Sequence, residues 1–356
     1  MRHLRVVVAL VLFSTLALAR THIHQKPADV GHQSEVVQVI IHSPALENNL
    51  LGDPADQPAS IYLPAAYKTE PQRRFAVLYF LHGYSGTAAA EMERVLRPKL
   101  DKLMAAHVIE PMIVVAPSGM NKLFGSFYTN SATTGNWDDY ITRDVVGYVD
   151  AHYRTLAAAE SRGISGHSMG GYGSLLLAFR HPDVFSSVYG MSPCCTELVG
   201  DLSASNTVWG RIAQVKSAAE MPQVLERQFL LAAVIAMDAA FAPDPRSPLY
   251  GDAPFVRNSE QLAPDPQVLA KFQQHILTTA VSGLLPLIAR LKGIYIDYGA
   301  EDEFSHIPAG ARALSEELAQ AGIPNTLEVY EGTHVDHVGQ RVEERMLPWM
   351  AKQLKH

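Results

Sequence analysis

The chain has 356 residues, of which 47% are hydrophobic and 18% are charged, and its formal net charge is -7. This balance is typical of a globular enzyme and does not fit a disordered chain or a basic surface for nucleic acid. Because no Gly/Ser/Pro-rich linker and no internal repeat divides the chain, we expect one α/β domain over residues 20–356.

The first nineteen residues have the pattern of a secretory signal peptide. Arg2 and Arg5 precede an apolar run, residues 6–19, that ends in Ala-Leu-Ala. This run is shorter than the ~20 residues that a membrane-spanning helix needs. We therefore expect cleavage after Ala19 and export to a periplasm or the medium, with no membrane insertion of the mature chain.

Strands and helices are predicted to alternate along the mature chain. Residues 35–41 and 59–63 are β-rich and bounded by turns, and we expect them to open the sheet as antiparallel strands. The wholly apolar residues 75–81 predict a central parallel strand with helices over both faces. Further strands are predicted at 112–116, 163–165, 185–191, 294–299 and 326–330, and helices at 88–107, at 138–153 and after residue 168. The alternation predicts a mostly parallel, doubly wound sheet.

This alternation lapses over residues 196–292. Helical patterns at 221–240 and 266–289 flank a Pro-rich loop there. We interpret the segment as a helical insertion that caps the end of the sheet where ligands bind, since it begins at the carboxyl end of a parallel strand. The alternative is a helical excursion that packs away from the site.

Only two cysteines occur in the chain, and they are adjacent, Cys194 and Cys195. They cannot link distant parts of the fold. In an oxidising compartment they form either a strained vicinal disulfide or two small packed thiols.

The most informative motif is RGISGHSMGGYG at residues 162–173, which reads as a strand, a sharp turn and a helix. It contains the nucleophile-elbow pattern G-x-S-x-G centred on Ser168. Gly166 and Gly170 must be small so that strand and helix pass closely, and the serine hydroxyl then projects from the top of the sheet. The helix that follows points its free N–H groups toward any anion formed there.

A serine hydroxyl needs a histidine to accept its proton and an acid to orient that histidine. After a nucleophile elbow the acid precedes the histidine along the chain. Asp302 lies just past the predicted strand 294–299, and His334 follows the predicted strand 326–330. We therefore predict Asp302 as the acid and His334 as the base. The alternative for residues 301–303 is a solvated acidic loop or a helix N-cap.

Two further residues near His334 need an interpretation. His337 stands three positions later, with Asp336 between them, which is compatible with a metal site. However, no third ligand of recognised spacing is present, so we predict no metal there. We expect His337 to open the last helix.

The attack of a serine on an ester carbonyl also requires N–H donors for the oxyanion. The strand 75–81 ends in HGYSG, the place where one such donor is expected, and we assign the backbone N–H groups of Tyr84 and Met169. Gly83 is the alternative to Tyr84, and a plain turn is the other interpretation. Phe127, Tyr128 and Trp137 form either an aromatic wall for a substrate or ordinary packing.

These motifs together resemble the "Putative esterase", or esterase D-like, family of α/β-hydrolases, which includes feruloyl esterases, S-formylglutathione hydrolases, enterochelin-type esterases and antigen 85 mycolyltransferases. The resemblance covers about residues 36–354. It depends on motifs at 81–86, 136–141, 161–174, 181–185, 299–304 and 331–334. It implies the same roles for Ser168, Asp302 and His334. The chain departs from the family at Asp336, where an aromatic residue is common, in its cysteine pair and in its long insertion.

The resulting prediction is an exported serine carboxylesterase that forms an acyl-enzyme on Ser168. The expected substrate is a small-molecule or carbohydrate-linked ester, such as a feruloyl or acetyl ester. No cofactor is expected, because acyl transfer through serine needs neither metal nor nucleotide, and no nucleic-acid partner is implied. An acyltransferase with the same triad and a non-catalytic binding protein are the alternatives. The sequence does not determine the oligomeric state.

Overall fold

Eight strands form one twisted sheet in the computed structural model, which describes residues 33–258 and 261–356. The predicted signal peptide, residues 1–19, lies outside the described residues. In chain order the strands are β1 (Glu35–His42), β2 (Asp56–Leu63), β3 (Val77–Leu81), β4 (Ile113–Pro117), β5 (Arg162–His167), β6 (Ser187–Met191), β7 (Gly293–Gly299) and β8 (Thr326–Tyr330).

The sheet has the spatial order β1-β2-β4-β3-β5-β6-β7-β8. Strand β2 pairs antiparallel with β1 and with β4. All other neighbours are parallel, so the carboxyl ends of β3, β5, β6, β7 and β8 lie at one edge of the sheet. The sequence prediction of a mostly parallel sheet opened by antiparallel strands is confirmed.

Strand β3 shows why the sheet is buried on both faces. Val77, Tyr79 and Leu81 belong to one hydrophobic core, whereas Leu78 and Phe80 belong to a second core on the opposite face. Every residue of this strand is buried. An apolar run without polar alternation therefore marks a strand between two layers of helices.

Helices cover both faces of the sheet. Outside the insertion, the helical segments are Pro44–Leu46, Ala66–Thr69, Ala88–Ala90, Glu91–Leu96, Arg97–Ala105, Trp137–Asp139, Tyr140–Val145, Val146–His152, Ala159–Ser161, Met169–Arg180, His306–Gln320, Val338–Arg341, Val342–Met346 and Leu347–Gln353. Three of them, Glu91–Leu96, Tyr140–Val145 and Val342–Met346, are π-helical. Within the described ranges, no helix combines the length and apolar character needed to cross a membrane.

The insertion between β6 and β7 holds further helices and a small hairpin. Its helical segments are Gly200–Leu202, Val208–Arg211, Ile212–Gln214, Ala218–Glu220, Met221–Arg227, Phe229–Phe241, Pro266–Gln273 and Leu277–Ile288. The hairpin pairs Phe255–Asn258 with Gln261–Pro264. A second short pair, Asn130–Ser131 with Gly135–Asn136, lies outside the insertion.

Each of the two long helices predicted in the insertion is divided in two. Gln228 adopts a non-helical conformation, with φ -151° and ψ 72°, and separates the first pair. The second pair is separated around His275, whose carbonyl accepts a hydrogen bond from the Tyr172 hydroxyl at 2.8 Å and whose Nδ1 contacts the Thr129 hydroxyl at 3.1 Å. Contacts from outside the insertion accompany this break, so helical periodicity alone could not locate it.

Candidate active site

Ser168 lies at the sharp turn between β5 and the helix Met169–Arg180, with φ 59° and ψ -117°. A positive φ is unfavourable for any residue with a side chain, and such strain is typical of a nucleophile elbow. The flanking glycines are required by space. A Cβ on Gly170 would lie 1.9 Å from the Leu81 carbonyl oxygen, and one on Gly166 would lie 2.5 Å from the Gly170 backbone.

Ser168, His334 and Asp302 form a continuous hydrogen-bonded chain. The Ser168 hydroxyl lies 2.9 Å from His334 Nε2, and His334 Nδ1 lies 2.8 Å from Asp302 Oδ2. Asp302 follows β7 and His334 follows β8, so the two loops meet above the edge of the sheet where Ser168 projects. Asp302 is fully shielded from solvent and His334 is nearly so. In this arrangement His334 Nδ1–H donates to the carboxylate, which leaves Nε2 to accept the serine proton.

All three acidic residues of the loop after β7 contact the loop that carries His334. The Glu303 carboxylate accepts the His334 backbone N–H at 3.0 Å, and the Glu301 carboxylate accepts the Gly332 N–H. Asp302 Oδ1 in addition accepts the Phe304 N–H at 2.9 Å. The loop is therefore not simply a solvated acidic turn. Glu301 and Glu303 stabilise the position of the histidine loop, and only Asp302 reaches the imidazole.

His167 is a site residue that the sequence analysis missed. Its Nε2–H donates to the His334 carbonyl at 2.8 Å, and the centres of the two rings lie 4.7 Å apart. Burial lowers the pKa of His167 to about 3, with a smaller contribution from His334, so the ring is neutral at ordinary pH. Its position inside the G-x-S-x-G motif was the available signal.

The two amides assigned to the oxyanion lie at the expected turns. Met169 is the first residue of the elbow helix, and Tyr84 belongs to the turn after β3. Neither backbone N–H has a hydrogen-bond acceptor among the residues that the structure describes. Gly83, the alternative donor, lies close to Ser168, because a Cβ built on it would be 3.5 Å from Ser168 Cβ.

A narrow cavity of about 40 Å³ adjoins Ser168. Its lining is mostly apolar: Tyr84, Phe127, Met169, Leu202, Phe229, Leu230, Ala233, Val234, Met237, Phe304 and Ile307, together with Ser168, Cys194, Cys195 and His306. The insertion therefore supplies one wall of the cavity through its helix Phe229–Phe241. This position agrees with the predicted cap.

Phe127, Tyr128 and Trp137 divide between the two interpretations. Phe127 lines the cavity, whereas Tyr128 and Trp137 are buried in the core. The Tyr128 hydroxyl donates to the His82 carbonyl at 2.9 Å, and the Trp137 indole N–H donates to the Thr134 carbonyl at 2.8 Å.

His337 precedes the helix Val338–Arg341 as its N-cap, in a left-handed conformation, and is exposed. It does not line the cavity beside Ser168. Asp336 is exposed as well. In the described part of the chain, no group of three His, Cys, Asp or Glu residues is arranged to hold a metal ion.

The mostly parallel eight-stranded sheet, with a serine at the turn after β5 and the acid and histidine loops after β7 and β8, defines the α/β-hydrolase class. Within that class, residues 54–240, more than half of the chain, match the model of the family described as "Putative esterase". The chain belongs to this family and is a carboxylic ester hydrolase.

Solved structures with the same fold cover nearly the whole chain. A ferulic acid esterase is 18% identical, with a TM-score of 0.61, and 91% of this chain matches 100% of that one. An S-formylglutathione hydrolase from Agrobacterium tumefaciens is 16% identical, with a TM-score of 0.58 and coverage of 91% and 97%. A fluorophosphonate-binding serine hydrolase from Staphylococcus aureus is 18% identical, with a TM-score of 0.56 and coverage of 90% and 99%. At these identities the likeness establishes the fold.

Proposed function

We propose that the protein is an exported serine esterase in which Ser168 is the nucleophile, His334 the general base and Asp302 the acid that orients His334. The observation that carries this proposal is the unbroken chain of contacts from the Ser168 hydroxyl to His334 and on to the buried Asp302 carboxylate. A histidine held in this way accepts the serine proton through Nε2 while the carboxylate stabilises the resulting imidazolium.

The reaction proceeds in two half-reactions. Ser168 Oγ attacks the ester carbonyl and passes its proton to His334, and the N–H groups of Tyr84 and Met169 stabilise the oxyanion. His334 then protonates the alcohol, which leaves, and Ser168 retains the acyl group. Water repeats the sequence on the acyl-enzyme and releases the acid. The backbone N–H groups of Tyr84 and Met169 have no acceptor among the described residues, so both are available to donate to the oxyanion. This supports the oxyanion assignment.

The cavity supports a short acyl group as the substrate part that lies beside Ser168. The cavity of about 40 Å³ is small and its lining is mostly apolar. An acetyl, propionyl or butyryl chain fits that space. An aromatic acyl group such as ferulate, named in several structural neighbours, is larger than these chains and tests the upper size limit of the cavity.

The proposal of export depends on the signal-peptide pattern of residues 1–19, which supports a location outside the cytoplasm. The N-terminal residue of protein recovered from the periplasm or the medium tests this step. Arg20 is expected, and a retained Met1 would contradict it.

The test of the mechanism is an ester panel applied to the mature protein and to Ser168→Ala. The panel contains p-nitrophenyl esters from acetate to octanoate and methyl ferulate. We expect highest kcat/KM for the shortest acyl chains and a loss of about 10⁶-fold in kcat on replacement of the serine. Wild-type turnover by a folded Ser168→Ala protein would overturn the mechanism. Serine-dependent transfer of the acyl group to an added sugar, without hydrolysis, would identify an acyltransferase.

A further inference from the structure

The cavity beside Ser168 contains a second cluster of reactive side chains that ester hydrolysis does not use. Cys194 and Cys195 are free thiols, both line the cavity, and their sulfur atoms lie 2.6 Å apart. Both residues are buried from bulk solvent, so a reagent reaches them through the cavity. The Cys194 backbone N–H also donates to the Ser168 carbonyl at 3.2 Å. The thiol pair is thus directly connected to the elbow.

A histidine and a carboxylate accompany the thiols. His306 Nδ1 lies 2.6 Å from Asp201 Oδ1, which also accepts the His306 backbone N–H at 2.8 Å. His306 Nε2 is buried and has no hydrogen-bond partner in the described part of the chain. Because Nδ1 is engaged by Asp201, Nε2 is the ring nitrogen that remains available to the neighbouring Cys194 thiol.

The charges of this cluster favour a thiolate at Cys194. Burial alone would raise the pKa of Cys194, but the adjoining Cys195 thiol and the His306 ring lower it to about 7. Burial likewise opposes charge on His306, but the Asp201 carboxylate and Cys194 raise its pKa to about 9. A thiolate beside an imidazolium is the form in which cysteine is nucleophilic. The pKa of Cys195 is raised, so this thiol keeps its proton.

We infer that Cys194, Cys195 and His306 form a dithiol site, which reacts with small uncharged disulfides that enter the cavity beside Ser168. Cys194 acts as the attacking thiolate, Cys195 as the resolving thiol and His306 as the positioning residue held by Asp201. The narrow and mostly apolar lining selects a small, uncharged reagent over a bulky charged one.

The reaction is balanced within this site. The Cys194 thiolate attacks one sulfur of a disulfide RSSR, which forms a mixed disulfide and releases RS⁻, which takes up a proton. Cys195 then loses its proton and attacks the Cys194 sulfur, which forms the Cys194–Cys195 disulfide and releases a second RSH. The two cysteines are oxidised by two electrons and the reagent is reduced to two thiols.

The Cys194–Cys195 disulfide is strained because the two residues are adjacent in the chain, and a strained disulfide is easily reduced. Consecutive Cα atoms are about 3.8 Å apart, which is below the usual range of about 4.4–6.8 Å for a disulfide. The surrounding loop already contains unfavourable backbone conformations, since φ is 40° at Ser192 and 57° at Cys195. The site is consequently a reversible one, reset by an excess of thiol.

The experiment treats the reduced mature protein with bis(2-hydroxyethyl) disulfide and follows the intact mass. Wild-type protein is expected to lose the mass of two hydrogen atoms and to regain it with dithiothreitol. Cys195→Ser should stop at the mixed disulfide, and Cys194→Ser should react much more slowly. A wild-type protein that keeps two free thiols, or that accumulates only the mixed disulfide, would overturn the proposal. Ser168→Ala reports on this site independently of ester hydrolysis, and it should be oxidised as the wild type is.

A second measurement isolates the role of His306. The titratable groups that face the thiol pair are His306, Asp201, His334 and Tyr172. In Cys195→Ser, the rate of alkylation of Cys194 by iodoacetamide should rise with pH as the Cys194 thiolate forms, which gives an apparent pKa. Addition of His306→Gln should move that apparent pKa upward. An unchanged pH profile in a variant with a native circular dichroism spectrum would exclude His306 from the site.

Discussion

At the scale of single residues, every hydrogen-bonding group of His334 has a partner. Its ring contacts Ser168 through Nε2 and Asp302 through Nδ1. Its backbone N–H donates to Glu303, and its carbonyl accepts from His167. Four partners from two segments, the end of β5 with its turn and the loop after β7, therefore determine the orientation of one imidazole. Such precise support is what a general base requires, since a displacement of about 1 Å is costly to catalysis.

These contacts give different roles to the neighbouring carboxylates of Asp302 and Glu303. Asp302→Asn keeps the shape of the side chain but removes the acceptor that selects the Nδ1–H tautomer of His334. We expect kcat to fall by about 10⁴-fold, with little change in KM for a p-nitrophenyl ester. The measurement is steady-state kinetics together with thermal unfolding.

Glu303→Gln is the matched control. It also neutralises a carboxylate in the same loop, but its amide oxygen can still accept the His334 backbone N–H. We expect kcat to fall by less than about tenfold. Removal of the charge should weaken this one hydrogen bond by no more than about 1.4 kcal/mol, which corresponds to a tenfold change in rate. Equal losses in both variants would show that loop position, and not the orientation of the ring, accounts for the effect.

The sequence could predict that Ser168, Asp302 and His334 lie together, because the order of such residues along the chain is fixed by the fold. The glycines around Ser168 mark the turn that carries it, and Asp302 and His334 each follow a recognisable strand. His167, Glu303 and the His306–Asp201 pair could not be assigned in this way. Their roles depend on contacts between residues far apart in sequence, and no spacing rule reports such contacts.

At the scale of elements, the helix Phe229–Phe241 is apolar at every position except Asp238, and it is buried on more than one side. Phe229, Ala233 and Met237 recur every four residues and line the cavity. Leu231 and Asp238 lie outside that lining and are buried elsewhere. The spacing matches one face of an α-helix. This one helix thus forms one wall of the cavity beside Ser168 and part of the core.

Met237→Ala tests the size of this wall. The substitution removes Cγ, Sδ and Cε from a residue that is 1% exposed, which leaves space for roughly three methylene groups. At about 0.8 kcal/mol for each buried methylene, we expect the preference for octanoate over acetate in kcat/KM to rise by up to about 50-fold. Chain-length profiles with the p-nitrophenyl panel provide the measurement.

Leu231→Ala is the control for this change. It truncates a side chain of similar size on the same helix, with 3% exposure, and it should lower the free energy of unfolding by a comparable ~2–5 kcal/mol. Its chain-length profile should remain that of the wild type. If both variants shift the profile equally, loosening of the helix and not the shape of the cavity controls the preference.

The sequence predicted elements best where periodicity and a turn agree. Strand β8 was predicted at 326–330 and is observed as Thr326–Tyr330. In the insertion, the two predicted helices are each divided, and the hairpin Phe255–Asn258 with Gln261–Pro264 was not predicted. Its strands have four residues each and include Arg257 and Asn258, so they lack the alternation that indicates a strand.

At the scale of the whole molecule, buried titratable groups act on stability with opposite dependence on pH. Burial lowers the pKa of His82 and His275 to about 4 and that of His167 to about 3. The unfolded chain therefore binds more protons at these positions below pH 6.5, and stability falls as the pH falls. Asp238 and Asp297 behave in the opposite way, because burial raises their pKa, to about 6 for Asp297.

Asp238 permits this balance to be tested with one substitution. It is buried in the helix Phe229–Phe241, its Oδ1 has no hydrogen-bond partner in the described ranges, and burial raises its pKa well above 3.8. Between pH 3.8 and the pKa of Asp238 in the folded state, folding therefore requires the uptake of a proton, whereas below pH 3.8 both states carry it. The cost of folding increases by about 1.4 kcal/mol per pH unit from pH 3.8 up to the pKa of the folded state.

Asp238→Asn removes this cost, because an amide does not titrate. Its advantage in the free energy of unfolding over the wild type should be smallest near pH 4 and should grow as the pH rises toward the pKa of Asp238 in the folded state. Urea unfolding at a series of pH values measures the difference. Asp252→Asn removes a carboxyl that is only partly buried, and its advantage should grow less with pH. If the difference in unfolding free energy between Asp238→Asn and wild type stays constant with pH, Asp238 is a carboxylate in the folded state. The buried helix would then hold a charge without a partner.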